Sequence, residues 1–135
     1  MSNVDTATAF AAALSAHDLD KLASLLTDDF SATGLAPVPM TKQMFLDGQR
    51  AWYAGCPDWT VTPGALSEQG DIVTGQVTVT ATQTGALSLP GAPSLPASGK
   101  RISSNDTATL TVRGGQVAKL EIVSGSPSLI EQLQA

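Results

Sequence analysis

The chain opens on a helical rhythm. Val4, Ala7, Phe10, Ala11 and Leu14 recur at three- and four-residue spacing, which predicts a helix over residues 3–16. A second short helix is predicted over 18–26, with Asp18 as its N-cap and Leu19, Leu22 and Leu26 on one face. Residues 29–35 read as extended and end at Gly34 and a Pro37-Val38-Pro39 turn. Thr41 caps a third predicted helix over 42–54. Phe45, Gln49 and Trp52 share one of its faces, Met44, Gly48 and Ala51 another, and Gly55-Cys56-Pro57 stops it.

From Trp59 onward the pattern is that of strands. Residues 59–67, 72–84, 100–113 and 116–124 are rich in Thr, Val and Ile and are parted by Gly or Asp turns. Between the middle pair lies a proline-containing stretch, 85–99, which predicts a long ordered loop of the kind that forms rims and lids. Leu87, Leu89 and Leu95 would be poorly placed in solvent there, so some of them are expected to close a cavity mouth or a dimer contact. Residues 127–133 predict a closing helical turn or two. Helices followed by an antiparallel run of strands is the α+β layout. A curled antiparallel sheet wrapped on the early helices leaves a pocket between them, and 1–135 reads as a single domain.

The strand over 101–113 separates by parity. Ile102, Ser104, Asp106, Ala108, Leu110 and Val112 fall on one face, and Arg101, Ser103, Asn105, Thr107, Thr109, Thr111 and Arg113 on the other. The even face is apolar, and Asp106 sits on it. A two-residue Gly114-Gly115 turn would set Ala108 against Glu121 and Leu110 against Lys119. A three-residue turn, Arg113-Gly114-Gly115, sets Asp106 against Ile122, Ala108 against Leu120 and Leu110 against Ala118. The second keeps charges off the apolar face, and the hydrophobic pattern selects it.

Asp106 is therefore the candidate acid/base, a carboxylate among Ile102, Ala108, Leu110, Leu120 and Ile122. Desolvation there is expected to raise its pKa toward the range useful for proton transfer. The alternative is a wet strand end, or a carboxylate bonded to Ser104, Ser124 or backbone. Phe45, Gln49, Trp52 and Trp59 are candidate substrate-binding walls with Ala108, Leu110, Leu120 and Ile122; core packing is the other reading of Trp52, Tyr53 and Trp59. His17, at a helix junction, reads as solvated or capping. Cys56 has no histidine nearby to activate it. Asp28, Asp29 and Asp58 read as turn and cap residues, and Lys119 with Glu121 as a solvated or interface pair.

Composition narrows the classes. A 135-residue chain buries about two-thirds of the surface it exposes unfolded, enough for a core without staples. Apolar residues make up 42% and argue against disorder. The net charge of −5, with no run of like charges, argues against a nucleic-acid groove or a polybasic membrane patch. With one cysteine and one histidine, a soft-ligand zinc site is not expected, and the sequence holds no Gly-rich phosphate cradle or paired-histidine metal motif. The apolar stretch at 6–16 has no basic residue before it and runs on into an amphipathic pattern, so it is not expected to be a signal peptide, and a cytoplasmic protein is expected.

Residues 16–30 (AHDLDKLASLLTDDF), Cys56-Pro57-Asp58, Thr84-Gly85, the loop end 96–101, the hairpin 110–117 and the closing 129–133 follow one another along nearly the whole chain. In this order and spacing they resemble the SnoaL-like polyketide cyclases of the nuclear transport factor 2-like superfamily. The resemblance implies a cone-shaped α+β barrel with an internal cavity, commonly a homodimer, whose members close rings, isomerise, hydrolyse epoxides or hydroxylate, usually without metal or cofactor. Where the cyclases tend to carry a histidine on the long strand, this chain has Ala108. Where they carry a His-Trp-acid triplet on the next strand, it has Leu120-Glu121-Ile122. The catalytic pair does not carry over. Two readings follow: a cofactor-independent cyclase, isomerase or hydrolase acting on a hydrophobic small molecule, or a non-catalytic ligand-binding or dimerisation module. The Thr/Ser/Asn/Arg face of 101–113 is expected to pack on its two-fold copy as a homodimer.

Overall fold

In the computed structural model, which describes residues 2–34, 38–88, 94–125 and 127–134, Ser2 and Asp5 begin helix α1 (Asn3–Ser15) with a capping box. The Ser2 hydroxyl accepts the Asp5 amide, and the Asp5 carboxylate accepts the Ser2 amide. The buried face of α1 is Thr6, Ala7, Phe10, Ala11, Ala13 and Leu14. His17 turns the chain at φ +58°, and Asp18 caps the short α2 (Leu19–Ser24) by accepting the Lys21 amide at 3.0 Å. Thr41 caps α3 (Lys42–Gly55) in the same way from Met44. Helices α1 and α3 stand where they are expected; α2 ends at Ser24, and Leu26, expected on its apolar face, is instead the first residue of a strand.

Six strands follow the order β2-β1-β6-β5-β4-β3 in one sheet: β1 (Leu26–Thr33), β2 (Met40–Thr41), β3 (Thr60–Gln69), β4 (Ile72–Thr82), β5 (Arg101–Arg113) and β6 (Gln116–Val123). The α+β layout is borne out. The sheet is mixed, because β1 runs parallel to β6 while the other neighbours are antiparallel. Parallel neighbours need a long crossover, and here nearly the whole chain supplies it, so no local signal marks the pairing. The extended run begins at Leu26 rather than Asp29, and the two-residue β2 was not expected. Leu35 and Pro37 of the expected extension and turn lie outside the described residues.

The helices cover one face. The Ser15 hydroxyl donates to the Val61 carbonyl at 2.8 Å and accepts the Val61 amide at 3.0 Å. At the other end of α1, the Val4 amide donates to the Glu68 carboxylate and the Asn3 side chain to the Gly70 carbonyl. Helix α1 is thereby laid along β3. Helix α3 packs on β1 through Phe45, whose ring centroid lies 6.2 Å from Phe10 and 5.2 Å from Phe30.

The hairpin register differs from the expected one. Gly114 and Gly115, at φ +58° and +78°, form a two-residue turn with Arg113 opposite Gln116. Val112 then faces Val117, but Thr111 faces Lys119, so Ala118 is an extra residue in β6. The bulge brings Leu110 opposite Leu120 and Ala108 opposite Ile122. The apolar face is preserved as the hydrophobic pattern demanded, but by a bulge rather than by a longer turn. Asp106 does not face Ile122, which the three-residue turn had required.

The loop 85–99 also departs from expectation. Leu87 is fully buried and pairs with Leu95 in an antiparallel bridge, with both amide-to-carbonyl distances 2.8 Å. Gly85 donates to the Gly55 carbonyl at 3.0 Å, and a Cβ on Gly55 would meet Leu87 at 3.2 Å. Buried Gln83 donates to the Leu95 carbonyl and accepts the Ser98 hydroxyl. Leu87 is thus a core residue under the end of α3, not a rim residue. Leu89 lies outside the described residues.

Strand β5 outruns β6 toward its start, leaving residues 101–106 without strand partners on that side. The final helix α4 (Leu129–Gln134) covers part of this edge: the Gln132 side chain donates to the Ser103 carbonyl at 2.6 Å and accepts the Ser103 amide at 3.1 Å.

Candidate functional site

The alternation read along β5 is realised residue by residue. Ile102, Ser104, Asp106, Ala108, Leu110 and Val112 are all buried, and the intervening residues are partly or fully exposed. This places a carboxylate, 7% exposed, on the face that packs toward the helices. The Asp106 carboxylate is held from two sides. Its Oδ1 accepts the Ser104 hydroxyl and, at 3.0 Å, the Gly125 amide just beyond β6. Oδ2 accepts none of the hydrogen bonds among the described residues. Two donors on one oxygen fix the rotation of the carboxylate and leave the other oxygen to accept a proton. Of the alternatives open in the sequence, the bonded carboxylate is the one found, with Ser104 and a backbone amide as partners of Oδ1, while Oδ2 keeps an open side. Gly125 escaped the sequence reading because it lies past the last paired residue.

The candidate walls do not all gather. Leu110 faces Leu120, and Ala108 faces Ile122, across the β5–β6 ladder beside Asp106; the first three are buried and Ile122 is partly so. The positions where the cyclases tend to carry histidine and acid are therefore direct cross-strand neighbours here, and both are apolar. Phe45 belongs to the aromatic core with Phe10 and Phe30. Buried Gln49 donates to the Tyr53 hydroxyl at 3.4 Å, and Trp52 packs half-buried against the core. Trp59 is buried with its ring against Tyr53, centroids 5.9 Å apart.

His17 corrects the solvated or capping reading. Its ring stacks on Tyr53 with centroids 3.9 Å apart, and its Nε2 lies 2.8 Å from the Trp59 carbonyl. Tyr53 in turn donates to the Leu14 carbonyl at 2.7 Å, tying α3 to α1; burial pushes its phenol up, with the Gln49 hydrogen bond working the other way. Ser15, Ala16, His17, Pro57, Asp58, Trp59 and Thr60 line a shallow depression of about 310 Å³ at this junction.

The remaining candidates are structural. Cys56 is fully buried, and burial followed by the nearby Asp58 carboxylate pushes its thiol up to about 11, the reverse of an activated nucleophile. Burial works to raise the Asp58 carboxyl, but the Thr82 amide, 2.6 Å from Oδ1, and Arg101 outweigh it and hold the group below its ordinary value. Thr27 and then Arg113 hold Asp29 low, the guanidinium lying 3.0 Å from both carboxylate oxygens. Lys119 and Glu121 pair at 3.5 Å on the exposed side. Among the described residues no group of three or more His, Cys, Asp or Glu side chains could hold a metal ion, and no helix is long and apolar enough to cross a membrane.

Comparison with known proteins sets these features in a family. A search of curated proteins finds no match. Among solved structures, IdmH, a candidate polyketide cyclase from Streptomyces antibioticus, superimposes with a TM-score of 0.78 at 21% identity, covering 100% of both chains. AclR, a candidate hydroxylase from Streptomyces galilaeus, gives 0.80 at 19% identity over 98% of this chain and 80% of its own. A protein of ketosteroid isomerase-like fold from Catenulispora acidiphila, solved with trimethylamine, gives 0.71 at 19% identity over 96% of this chain and 92% of its own. At these identities the likeness is one of fold. A profile of the SnoaL-like domain matches residues 7–120, most of the chain, and the protein belongs to the SnoaL-like domain family.

Proposed function

We propose that the protein, as a single SnoaL-like domain over 1–135, is a cofactor-independent enzyme that moves a proton on an apolar small molecule, in a cyclisation, isomerisation or hydrolysis. Asp106 is the proton carrier in this reading, acting through Oδ2. The supporting observation is the asymmetry of its hydrogen bonds: Oδ1 takes both donors and Oδ2 takes none among the described residues. Oδ2 is not among the buried unpaired side-chain atoms of the described residues, so it keeps an open side from which a small molecule can approach. The apolar set Ala108, Leu110, Leu120 and Ile122 beside it supplies the low-dielectric wall that such chemistry uses. The fold relative from Catenulispora acidiphila, solved in complex with trimethylamine, supports small-molecule binding by this fold.

A second reading has its own support. The positions of the family's histidine and acid are Ala108 and Ile122, so a ligand-binding module without chemistry accounts for their loss. The outer face of β5 carries a polar ladder in which Thr78 bonds Asn105 and Gln76 bonds Thr107, each at 2.8 Å, and this weakly charged surface supports the homodimer proposal.

One experiment separates the two functions. Binding of anilinonaphthalene sulfonate and proton transfer from a carbon-acid reporter are measured for the parent and for Asp106→Asn. The enzyme reading expects binding within about twofold and proton transfer reduced at least ~100-fold. Equal behaviour of both proteins in both assays favours the binding module.

A further inference from the structure

Strand β5 is paired on one side only along its first half. Strand β4 runs beside it throughout, from Thr82 opposite Arg101 to Ile72 opposite Thr111, but pairing with β6 stops at Thr107 opposite Val123. Ser104 and Asp106 both fall in the half without a β6 partner. Backbone groups along an unpaired edge still need partners, so the set of this half-strand depends on what takes the missing strand's place.

At Ser103 the substitute is a single side chain. A glutamine carboxamide carries the same donor and acceptor as a peptide group. Gln132 Oε1 accepts the Ser103 amide at 3.1 Å, and Nε2 donates to the Ser103 carbonyl at 2.6 Å, as a neighbouring antiparallel strand would. Nε2 also donates to the Pro127 carbonyl at 3.0 Å, two residues past Gly125. Helix α4, at six residues, is too short to hold itself in water. It is started by Ser128 and Glu131, each side chain accepting the other's amide, and anchored by buried Leu133. Gln132 is thereby presented to β5 from a fixed base.

Both donors to Asp106 are attached to the two points that Gln132 holds. The Ser103 carbonyl and the Ser104 nitrogen belong to one planar peptide unit, so fixing that carbonyl sets the backbone entering Ser104, whose hydroxyl bonds Oδ1. The Pro127 carbonyl anchors the chain beyond Gly125, whose amide bonds the same oxygen.

We propose that Gln132 is a positioning residue for the Asp106 carboxylate. It stands in for the strand that β5 lacks, keeps Ser104 and Gly125 on Oδ1, and so leaves Oδ2 oriented for proton transfer. This rests on the proton-transfer reading above and adds to it a residue that makes no hydrogen bond to Asp106 itself.

The test compares the parent with two variants. Gln132→Met keeps the length of the side chain and removes its donors and acceptor; Gln132→Asn keeps the carboxamide but is one methylene too short. In ring opening of a nitro-substituted benzisoxazole, both are expected to lose about tenfold in kcat with KM within about twofold. Added to Ser104→Ala, Gln132→Met is expected to slow the reaction by less than about threefold more, because the two act through one hydrogen bond. By NMR, the Gly125 amide is expected to move upfield and lose exchange protection in both variants, while amides of the β5–β6 ladder stay protected. Parent kcat in both variants, a full further tenfold loss in the Ser104→Ala background, or an unmoved Gly125 amide overturns the inference. Lost protection across the β5–β6 ladder also overturns it, by making Gln132 a residue of the fold as a whole. If Asp106→Asn opens the ring at the parent rate, the proton-transfer reading fails, and the Gly125 amide alone decides whether Gln132 positions the carboxylate.

Discussion

Gly125 donates its amide to the buried Asp106 carboxylate at 3.0 Å, across nineteen residues of chain and from just beyond the last paired residue of β6. The contact requires a glycine, since a Cβ on Gly125 would lie 2.3 Å from the Asn105 carbonyl oxygen. The chain after β6 can therefore fold back closely enough to β5 to put a donor on the same oxygen that Ser104 holds. Removing either donor loosens the orientation of the carboxylate while leaving the group itself in place.

Gly125→Ala is accordingly expected to cost about 1–3 kcal/mol in urea denaturation, from the backbone shift and the loosened buried carboxylate. Ser104→Ala is expected to cost a comparable amount by leaving Oδ1 with one donor. Stability unchanged in both variants would mean that Asp106 does not depend on these partners.

Leu87 makes the loop part of the core. Leu87→Ala is expected to destabilise the protein by about 2–5 kcal/mol, the range for truncating a fully buried leucine. A loss under about 0.5 kcal/mol would restore the view of 85–99 as a peripheral rim.

How much of this was legible in the sequence depends on whether the determining contact is local. The helices were readable because apolar spacing marks the first, and Asp18 and Thr41 cap the next two from within their own first turns. The burial of Asp106 was readable because parity along one strand decides it. The β5–β6 register was not, because the hydrophobic pattern demands only that the even face stay inside, and a bulge at Ala118 meets that demand as well as a longer turn. The β1–β6 pairing, the descent of Leu87 beside Gly55 and the Gly125 contact join distant segments and leave no periodic trace. The buried indole N–H of Trp59, without an acceptor among the described residues, is equally invisible, since unpaired donors are defined by what surrounds them.

The turn itself offers a check on that register. Both turn glycines have positive φ, so Gly114→Asn is expected to be tolerated within about 0.5 kcal/mol and Gly114→Val to cost about 1–3 kcal/mol in thermal or urea unfolding. Equal tolerance of both would argue against the two-residue turn.

Asp58 sets an acid dependence. Its carboxyl is held below the ordinary value of 3.8, so the stability it contributes is fully present above that pH and is lost as pH falls through the lower, folded value. Asp58 is exposed, so the contribution is expected to be about 1 kcal/mol or less. Asp58→Asn should melt lower than the parent at pH 6, with the gap narrowing as pH falls below the ordinary value of 3.8. A gap independent of pH would assign the effect to lost packing.

The central claim is that Asp106 carries a proton through Oδ2, and a nitro-substituted benzisoxazole tests it without assuming the natural substrate. Removal of its ring C–H proton by the carboxylate breaks the N–O bond and releases a coloured phenolate, a reaction that needs a base in an apolar site and nothing else. The parent is expected to accelerate ring opening at least ~100-fold over buffer, with Ser104→Ala slower and Asp106→Asn at the buffer rate. Equal rates for the parent and Asp106→Asn would contradict the account.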